Sequence, residues 1–243
     1  NLSSHATFKM LYQITGEQQY ADLMAHIERY LDWAFDPVTK TFCQGAHYVN
    51  GQWVKNIGLA TDVQLWPVLS LGANWLDQRY GNGTAYEMLR YTIEHAGKKS
   101  IDGRLIGFNY SDDPDGNKSS EWSNFGDMAL RAASTAYKVS HPNYSSELMR
   151  RAVELRAGIQ DLRLDIRPEH IAWHYALMFL PIRWGWHTTP SDTQHTAAGA
   201  WDYLMHIGPN DNIDYNPLRL GGNMGGIDPP TGVKEQEAEE GRE

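Results

Sequence analysis

The stretch SSEWSNFGDMALRAASTAY (119–137) sets a carboxylate and an indole side by side at the start of an otherwise small and apolar segment. Apolar residues recur three and four positions apart, which predicts a helix over 120–139. Glu121 in the first turn complements the helix dipole, and the serines before it are good capping residues. Capping explains Glu121 but not the neighbouring Trp122, so a mouth that binds sugars is the alternative interpretation.

Six further segments show the same helical periodicity. They are 2–16, 17–36, 61–81, 84–97, 145–162 and 191–207. Very short turns connect the first helix to the second, the third to the fourth and the fifth to the sixth, whereas the other connections are long. This alternation places all the long loops at one end of the helix array, which is called the mouth. Loops of that length inside a compact domain are usually functional.

Two of the long loops contain signals for extended structure. TFCQGAHYVNGQWV (41–54) has Asn-Gly between apolar and aromatic residues, which predicts a β-hairpin. HIAWHYALMFLPIRWGWHTTP (170–190) is rich in aromatic residues and ends at a proline. The alternation of short and long linkers favours an extended chain over a helix in this second loop.

Composition excludes several classes of function. The chain has 243 residues, enough for one sizeable core, and 9 of them are tryptophan. The net charge is -9 and there is no long basic run, so nucleic acid is not an expected partner. No apolar run reaches about 18 residues, so no membrane span is expected. The single Cys43 excludes an intrachain disulfide and a cysteine-based zinc site.

The helix starts repeat an acidic pattern that suggests a reaction. Asp62, Glu121 and Asp192 each follow a threonine or serine at the predicted mouth, where tryptophans are also concentrated. Cleavage of a glycosidic bond needs one carboxylic acid that protonates the leaving oxygen and one carboxylate that activates water or attacks carbon. The helix terminus favours an ionised Asp62 as base, and the adjacent indole favours Glu121 as acid.

Other polar groups have simpler interpretations. Asp127 and Arg131 are one helical turn apart, which predicts an ion pair. The loop 111–121 is acidic, but its glycine and glutamate miss the EF-hand spacing for calcium, so the preferred interpretation is a polar turn without a cofactor. There is no His-Glu-x-x-His motif, and no metal is expected. His187 and His195 are the one pair of histidines suited to act as acid and base in a sugar epimerase.

Four Asn-x-Ser/Thr sequences bear on location. They begin at Asn1, Asn82, Asn117 and Asn143 and favour a glycoprotein in an extracellular or periplasmic location. The chain opens without methionine, which suggests a mature or trimmed product. Residues 223–243 lack a hydrophobic pattern and end in an acidic run, which predicts an irregular tail.

Three segments share features with a known family: a Thr-Asp helix start followed by Trp, a Glu-Trp helix start, and a Gly-Trp loop that leads into a small-residue helix and Asn-Pro. They are ATDVQLWPVLSLG (60–72), SSEWSNFGDMALRAASTAY (119–137), and RWGWHTTPSDTQHTAAGAWDYL (183–204) with NPLRLGG (216–222). In these features the chain resembles the six-hairpin, (α/α)6-toroid glycosidase-like proteins. The resemblance implies an all-α toroid of helical hairpins over 1–222. Seven predicted helices are fewer than a full ring needs, so the expectation is an incomplete toroid. Its alternatives are a missing N-terminal segment and a degenerate ring without hydrolase activity, and a homo-oligomer is a further expectation.

The same resemblance implies a carbohydrate-binding cleft at the mouth, with Asp62 and Glu121 as the catalytic candidates. The implied substrate-binding residues are Trp66, Trp122, Trp184, Trp186, His187, Asp192 and Tyr110. The first hypothesis is a glycoside hydrolase, inverting by analogy with toroid families, that acts on an oligo- or polysaccharide. The alternatives are a non-catalytic carbohydrate-binding or self-assembling protein, and a sugar epimerase that uses His187 and His195.

Overall fold

The computed structural model describes residues 2–113 and 118–160 in full, together with the backbone of four short strands between 163 and 188. In these residues the chain is mostly helical, with small antiparallel strand pairs. The helices are α1 (Leu2–Thr15), α2 (Gln18–Ala34), α3 (Thr61–Ser70), α4 (Ala73–Tyr80), α5 (Thr84–His95), α6 (Ser120–Tyr137) and α7 (Pro142–Ile159). The strands are β1 (Phe35–Asp36), β2 (Thr41–Phe42), β3 (Gly45–Val49), β4 (Gln52–Asn56), β5 (Gly97–Lys99), β6 (Leu105–Phe108), β7 (Arg163–Arg167), β8 (His170–Trp173), β9 (Leu180–Ile182) and β10 (Trp186–Thr188). None of the described helices is both long and apolar enough to cross a lipid bilayer.

Most of the predicted helices are confirmed to within a residue or two. The segments 2–16, 17–36, 84–97 and 120–139 correspond to α1, α2, α5 and α6. The segment 145–162 is α7, which begins earlier, at Pro142. Proline is favourable in a first turn because its missing N–H has no helical partner to lose. The predicted helix 191–207 lies outside the described residues.

The prediction of a single helix over 61–81 is wrong. The chain breaks at Gly72, which has a φ of 94°, a conformation that residues with a Cβ rarely adopt. Consequently α3 ends at Ser70 and α4 begins at Ala73. Periodicity passes through the break because the apolar residues on either side keep the helical spacing.

The long connections contain antiparallel strand pairs. Between α2 and α3, β1 pairs with β2 and β3 pairs with β4, and between α5 and α6, β5 pairs with β6. Asn50 and Gly51 link β3 to β4 with φ angles of 49° and 81°, the two positive values that a type I′ turn requires. The hairpin predicted in 41–54 is therefore confirmed. The pairs β7–β8 and β9–β10 follow α7, and the described strands over 170–190 are extended as predicted.

Helix α6 lies at the centre of the described core. Its residues from Trp122 to Leu130 are all buried, and it packs against α7 and α3. The largest fully buried side chains around it are Tyr137, Phe108, Leu65, Leu69, Leu76, Met88, Leu89, Leu105, Leu130, Leu148 and Leu155. Within α6 the Arg131 Nε donates to the buried Asp127 carboxylate at 2.9 Å, so the predicted ion pair is confirmed.

A polar cluster inside the core fixes the start of α5. The Asp77 carboxylate of α4 accepts from the backbone N–H groups of Gly83 and Ala85, at 2.9 Å and 3.1 Å. The Tyr137 hydroxyl donates to the same carboxylate at 2.9 Å and accepts from the N–H of Tyr86. Burial and the Asp77 charge raise the pKa of Tyr137, so its hydroxyl keeps its proton. The cluster ties α4, α5 and α6 together.

Helix α7 approaches strand β6 at backbone distance. A Cβ placed on Gly158 would lie 2.5 Å from the carbonyl oxygen of Ile106 and 2.7 Å from its carbonyl carbon. On the other side, the Lys118 Nζ donates to the Gly158 carbonyl at 2.9 Å. Only glycine fits between these groups, and the close contact sets the position of β6 against the helical core.

Candidate functional site

One short segment, Phe108–Ser111 (the 108–111 segment), holds the starts of both α3 and α6. The N–H of Thr61 donates to the Tyr110 carbonyl at 2.8 Å. The N–H of Ser119 donates to the Phe108 carbonyl at 2.9 Å. Isolated strand bridges at both ends of the segment accompany these bonds. Because both helices begin beside the same four residues, their first turns are neighbours.

Asp62 and Glu121 occupy those two first turns. Both side chains are partly buried. The Asp62 Oδ1 accepts from the N–H of Val63 at 2.9 Å, one of the free amides at the start of α3. The negative charge of Glu121 is close enough to act on Asp62 and to raise its pKa. The structure thus brings together two carboxylates that are far apart in sequence.

The pKa of Asp62 is raised chiefly because burial removes water from its charged form, with the Glu121 charge adding in the same direction. Hydrogen bonds from the N–H groups of Val63 and of Asp62 itself oppose the rise and do not cancel it. From the sequence, Asp62 was expected to be ionised and to act as the base, because a helix N-terminus favours the charged form of a carboxyl group. The direction of the shift instead suits Asp62 as a proton donor.

The hydroxyls of Thr61 and Ser119, which precede the two acids, do not cap the helices. The Thr61 Oγ1 donates to the Asn109 carbonyl at 2.6 Å and caps no amide of α3. The Ser119 Oγ is buried, and among the described residues it has no hydrogen-bond partner. Ser119 is the N-cap residue of α6, so this helix has no side-chain cap bond from it. These hydroxyls therefore join the helix starts to the loop or face the interior.

The aromatic residues around the carboxylates fall into two groups. Trp66 lies one turn after Asp62, is partly exposed and meets Phe125 of α6 edge to face at 5.3 Å. Trp122 and Tyr110 are only 7% and 3% exposed, with ring centroids 5.1 Å apart. Their ring faces are occupied by the core, so burial argues against the direct sugar contacts expected of these two residues. They form a buried aromatic pair, the Tyr110–Trp122 wall, in which Trp122 directly follows Glu121 in the chain.

Gln44 is a site residue that sequence reasoning missed. Its Nε2 donates to the Tyr110 hydroxyl at 2.8 Å, and its Oε1 accepts from the Asn56 Nδ2 at 3.1 Å. These bonds connect the base of the β3–β4 hairpin to the Tyr110–Trp122 wall. No local pattern marks Gln44, because its partner Tyr110 lies in a different loop and becomes a neighbour only in the fold.

Several predicted site residues lie in the part of the chain described only as backbone or outside it. Trp186 and His187 belong to β10, opposite Ile182 and Pro181, and their side chains are not described. Residues outside the described part are Trp184, Asp192 and His195, together with the sequon residues Asn1 and Asn117. The epimerase pair His187 and His195 therefore stays a prediction.

The described sequon residues differ in exposure. Asn82, in the turn before α5, and Asn143, in the first turn of α7, are both exposed. The sequence contains a fifth sequon, Asn109-Tyr110-Ser111, besides the four that begin at Asn1, Asn82, Asn117 and Asn143. Asn109 is buried, and its Nδ2 donates to the carbonyls of Ser111 and Asp113. A folded chain cannot present that amide to a glycosylating enzyme.

Residues 2–113 and 118–160 contain no group of three or more His, Cys, Asp or Glu side chains arranged to hold a metal ion. Part of the acidic loop 111–121 lies outside these residues, so the calcium interpretation of that loop stays untested. The free Cys43 is buried, and burial raises the pKa of its thiol, which makes it a poor ligand and nucleophile.

Comparison with models of known protein families, with curated proteins and with solved structures gave no match to this chain. The family resemblance drawn from the sequence motifs therefore stays a hypothesis.

Asp62→Asn is expected to raise the melting temperature at about pH 7, because it removes the free-energy cost of burying a charged carboxylate. The rise should be about 2–4 °C for each kcal/mol of that cost. The native pKa of Asp62 is raised, so its protonated form favours the fold and that contribution is lost as pH rises through the native pKa. Asparagine keeps the acceptor for Val63 N–H and carries no charge. Differential scanning calorimetry between about pH 3.5 and about pH 7, roughly the range over which carboxyl groups titrate, checks this.

The control for that comparison is Asp22→Asn, on the exposed face of α2. It removes the same charge without relieving burial, so its melting temperature should stay near that of the wild type. The gain in Asp62→Asn should shrink toward acid pH. A gain that is constant with pH would mean that the charge of Asp62 is not what the native state resists.

Proposed function

We propose that this chain is a glycoside hydrolase acting on an oligo- or polysaccharide, with Asp62 as the general acid and Glu121 as the base that activates water. The observation that carries the proposal is the pair of carboxylates at adjacent helix starts, where burial and the Glu121 charge raise the pKa of Asp62. Glycosidases use two carboxyl groups in different environments, one protonated and one ionised. The raised pKa of Asp62, beside a second carboxyl group, supports Asp62 as the protonated member of such a pair.

The proposed step is a hydrolysis in which protons and bonds balance. Asp62 gives its proton to the glycosidic oxygen as the bond from that oxygen to the anomeric carbon breaks. Glu121 takes a proton from a water molecule, whose oxygen bonds to the anomeric carbon. The products are two shortened sugars with a new reducing end, and solvent returns the proton from Glu121 to Asp62.

The proposal includes the toroid arrangement and the location. Its support is the short turns that join α1 to α2, α4 to α5 and α6 to α7, and the strand-containing loops that separate these pairs. In an α/α toroid, loops at one end surround the site, and the shared 108–111 segment beside α3 and α6 agrees with that layout. The exposed sequons at Asn82 and Asn143 support an extracellular or periplasmic protein.

The test is to incubate the purified chain with a panel of neutral and acidic polysaccharides and to measure new reducing ends and product sizes. Release of oligosaccharides from at least one polysaccharide is expected. Proton NMR of the first product then reports the anomer, and inversion is the expected outcome. Binding of a polysaccharide without any release would reject the hydrolase and favour the carbohydrate-binding alternative.

A further inference from the structure

The β3–β4 hairpin presents two large aromatic side chains to solvent. Tyr48 and Trp53 are 64% and 66% exposed and lie directly opposite each other in the strand register. Their ring centroids are 5.2 Å apart and the rings are tilted by 59°. Because side chains alternate along a strand, the two rings share one face of the hairpin. This pair is called the hairpin platform below.

The hairpin platform is built on a rigid base. The type I′ turn at Asn50 and Gly51 fixes the register of the two strands. On the same face as the rings, Lys55 donates from Nζ to the Phe35 carbonyl at 3.3 Å. The Lys55 Nζ also lies 5.3 Å from the ring centre of Trp33. Exposed aromatic groups held on a fixed element mark an interaction surface more often than a packing defect.

The base of the hairpin that carries the platform is hydrogen-bonded to the candidate site. Gln44, immediately before β3, donates to the hydroxyl of Tyr110, and the Tyr110 ring packs on Trp122 next to Glu121. The base of the hairpin is therefore connected to the Tyr110–Trp122 wall through the Gln44–Tyr110 hydrogen bond, and the two form one unit. A chain-like ligand with one end at the carboxylates and its other end on the hairpin would run along this unit.

We propose that the hairpin platform is a distal subsite that binds successive pyranose rings of a neutral polysaccharide. The C–H face of a pyranose packs on an aromatic ring, and two tilted rings match sugars that rotate relative to one another along a chain. The turn residue Asn50 offers an amide group for a hydroxyl at the rim. Within the β3–β4 hairpin, Lys55 is the one lysine or arginine, and in a chain of net charge -9 it gives little attraction for a polyanion or an anionic membrane.

This inference rests on the proposed function only where it assumes that the bound polysaccharide is cleaved at Asp62 and Glu121. Binding and hydrolysis are therefore measured separately. The binding probes are barley β-glucan, xyloglucan, glucomannan and soluble starch in affinity gel electrophoresis. The kinetic probes are the polysaccharide that the wild type cleaves and the matching aryl glycoside of one sugar. The variants are Trp53→Ala and Tyr48→Ala, with Val54→Ala as the matched control on the opposite face of the same hairpin.

The wild type should be retarded by at least one of the four polysaccharides, and Trp53→Ala should weaken that binding roughly tenfold, the effect of losing one stacked ring. Val54, itself 50% exposed, should be replaceable without effect on retardation. Trp53→Ala should raise KM on the polysaccharide and leave kcat/KM on the aryl glycoside unchanged. Tyr48→Ala should act in the same direction with a smaller effect.

Three results would overturn the subsite. The first is no retardation of the wild type in any of the four gels. The second is retardation of Trp53→Ala equal to that of the wild type. The third is a change of oligomeric state in Trp53→Ala, measured by analytical ultracentrifugation, without a change in binding. The last result would identify the rings as a contact between protein copies. Trp53-dependent binding in a chain that releases no reducing ends would support the subsite and reject the proposed hydrolase.

Discussion

Glu121→Gln is expected to lower kcat for polysaccharide hydrolysis by roughly 10²- to 10⁴-fold, the usual contribution of a general base. The amide keeps the shape of the side chain and cannot accept a proton from water. Binding of the polysaccharide should change little, because the hairpin platform is untouched. Steady-state kinetics on the cleaved polysaccharide, with binding by affinity gel electrophoresis, separates these two effects.

Asp62→Asn distinguishes the two roles through the leaving group. A 2,4-dinitrophenyl glycoside leaves as a stable anion and needs no proton, so this variant should retain activity on it while losing activity on the polysaccharide. Glu121→Gln should lose activity on both substrates, and added azide should restore turnover by replacing the activated water. The opposite pattern would return the roles to those expected from the helix terminus alone.

Glu87→Gln is the matched control for both carboxylates. Glu87 lies in the first turn of α5, as Glu121 lies in the first turn of α6, but it pairs with Arg90 on the surface. Its replacement should leave kcat within about twofold, because an exposed ion pair contributes little. Wild-type activity in Glu121→Gln would remove Glu121 from the mechanism whatever the control shows.

Gly158→Ala is expected to lower the free energy of unfolding by about 3 kcal/mol, at the upper end of the usual cost of overpacking a core. The added methyl would meet the backbone of Ile106 at 2.5 Å, and backbone cannot move aside as a flexible side chain can. The gain in helix propensity from glycine to alanine, about 1 kcal/mol, is too small to offset this. Urea unfolding followed by circular dichroism measures the change.

The matched substitution is Gly45→Ala, at the start of β3. A Cβ on Gly45 would have no atom within 4 Å, and its φ is not in the left-handed region. Its free energy of unfolding should stay within about 0.5 kcal/mol of the wild type. Equal stability of Gly158→Ala and the wild type would show that α7 and β6 are not held at backbone distance.

The sequence predicted the elements whose signals are local. Helix periodicity located α6, and the Asn-Gly pair located the turn between β3 and β4. The break at Gly72 could not be predicted, because a glycine inside an apolar helical pattern is compatible with either a helical or a positive φ angle. Local signals therefore gave most element positions and not the break.

The site was only partly predictable for a different reason. The acid pattern pointed to Asp62 and Glu121, but the balance between burial and the helix terminus at Asp62 depends on what packs around it. The exposure of an aromatic residue depends on the fold in the same way. Trp122 and Tyr110 are buried while Trp53 is open, and composition treats them alike.

The 108–111 segment has a consequence for how the sequence of this protein can evolve. Both carboxylates take their positions from helix starts bonded to the same four residues, and the Asn50–Gly51 tip of the β3–β4 hairpin makes none of those bonds. Under the proposed function, insertions or deletions at this tip would alter which glycan fits and leave Asp62 and Glu121 in register. On that proposal, descendants of this chain could diverge in the sugars they recognise while retaining one reaction.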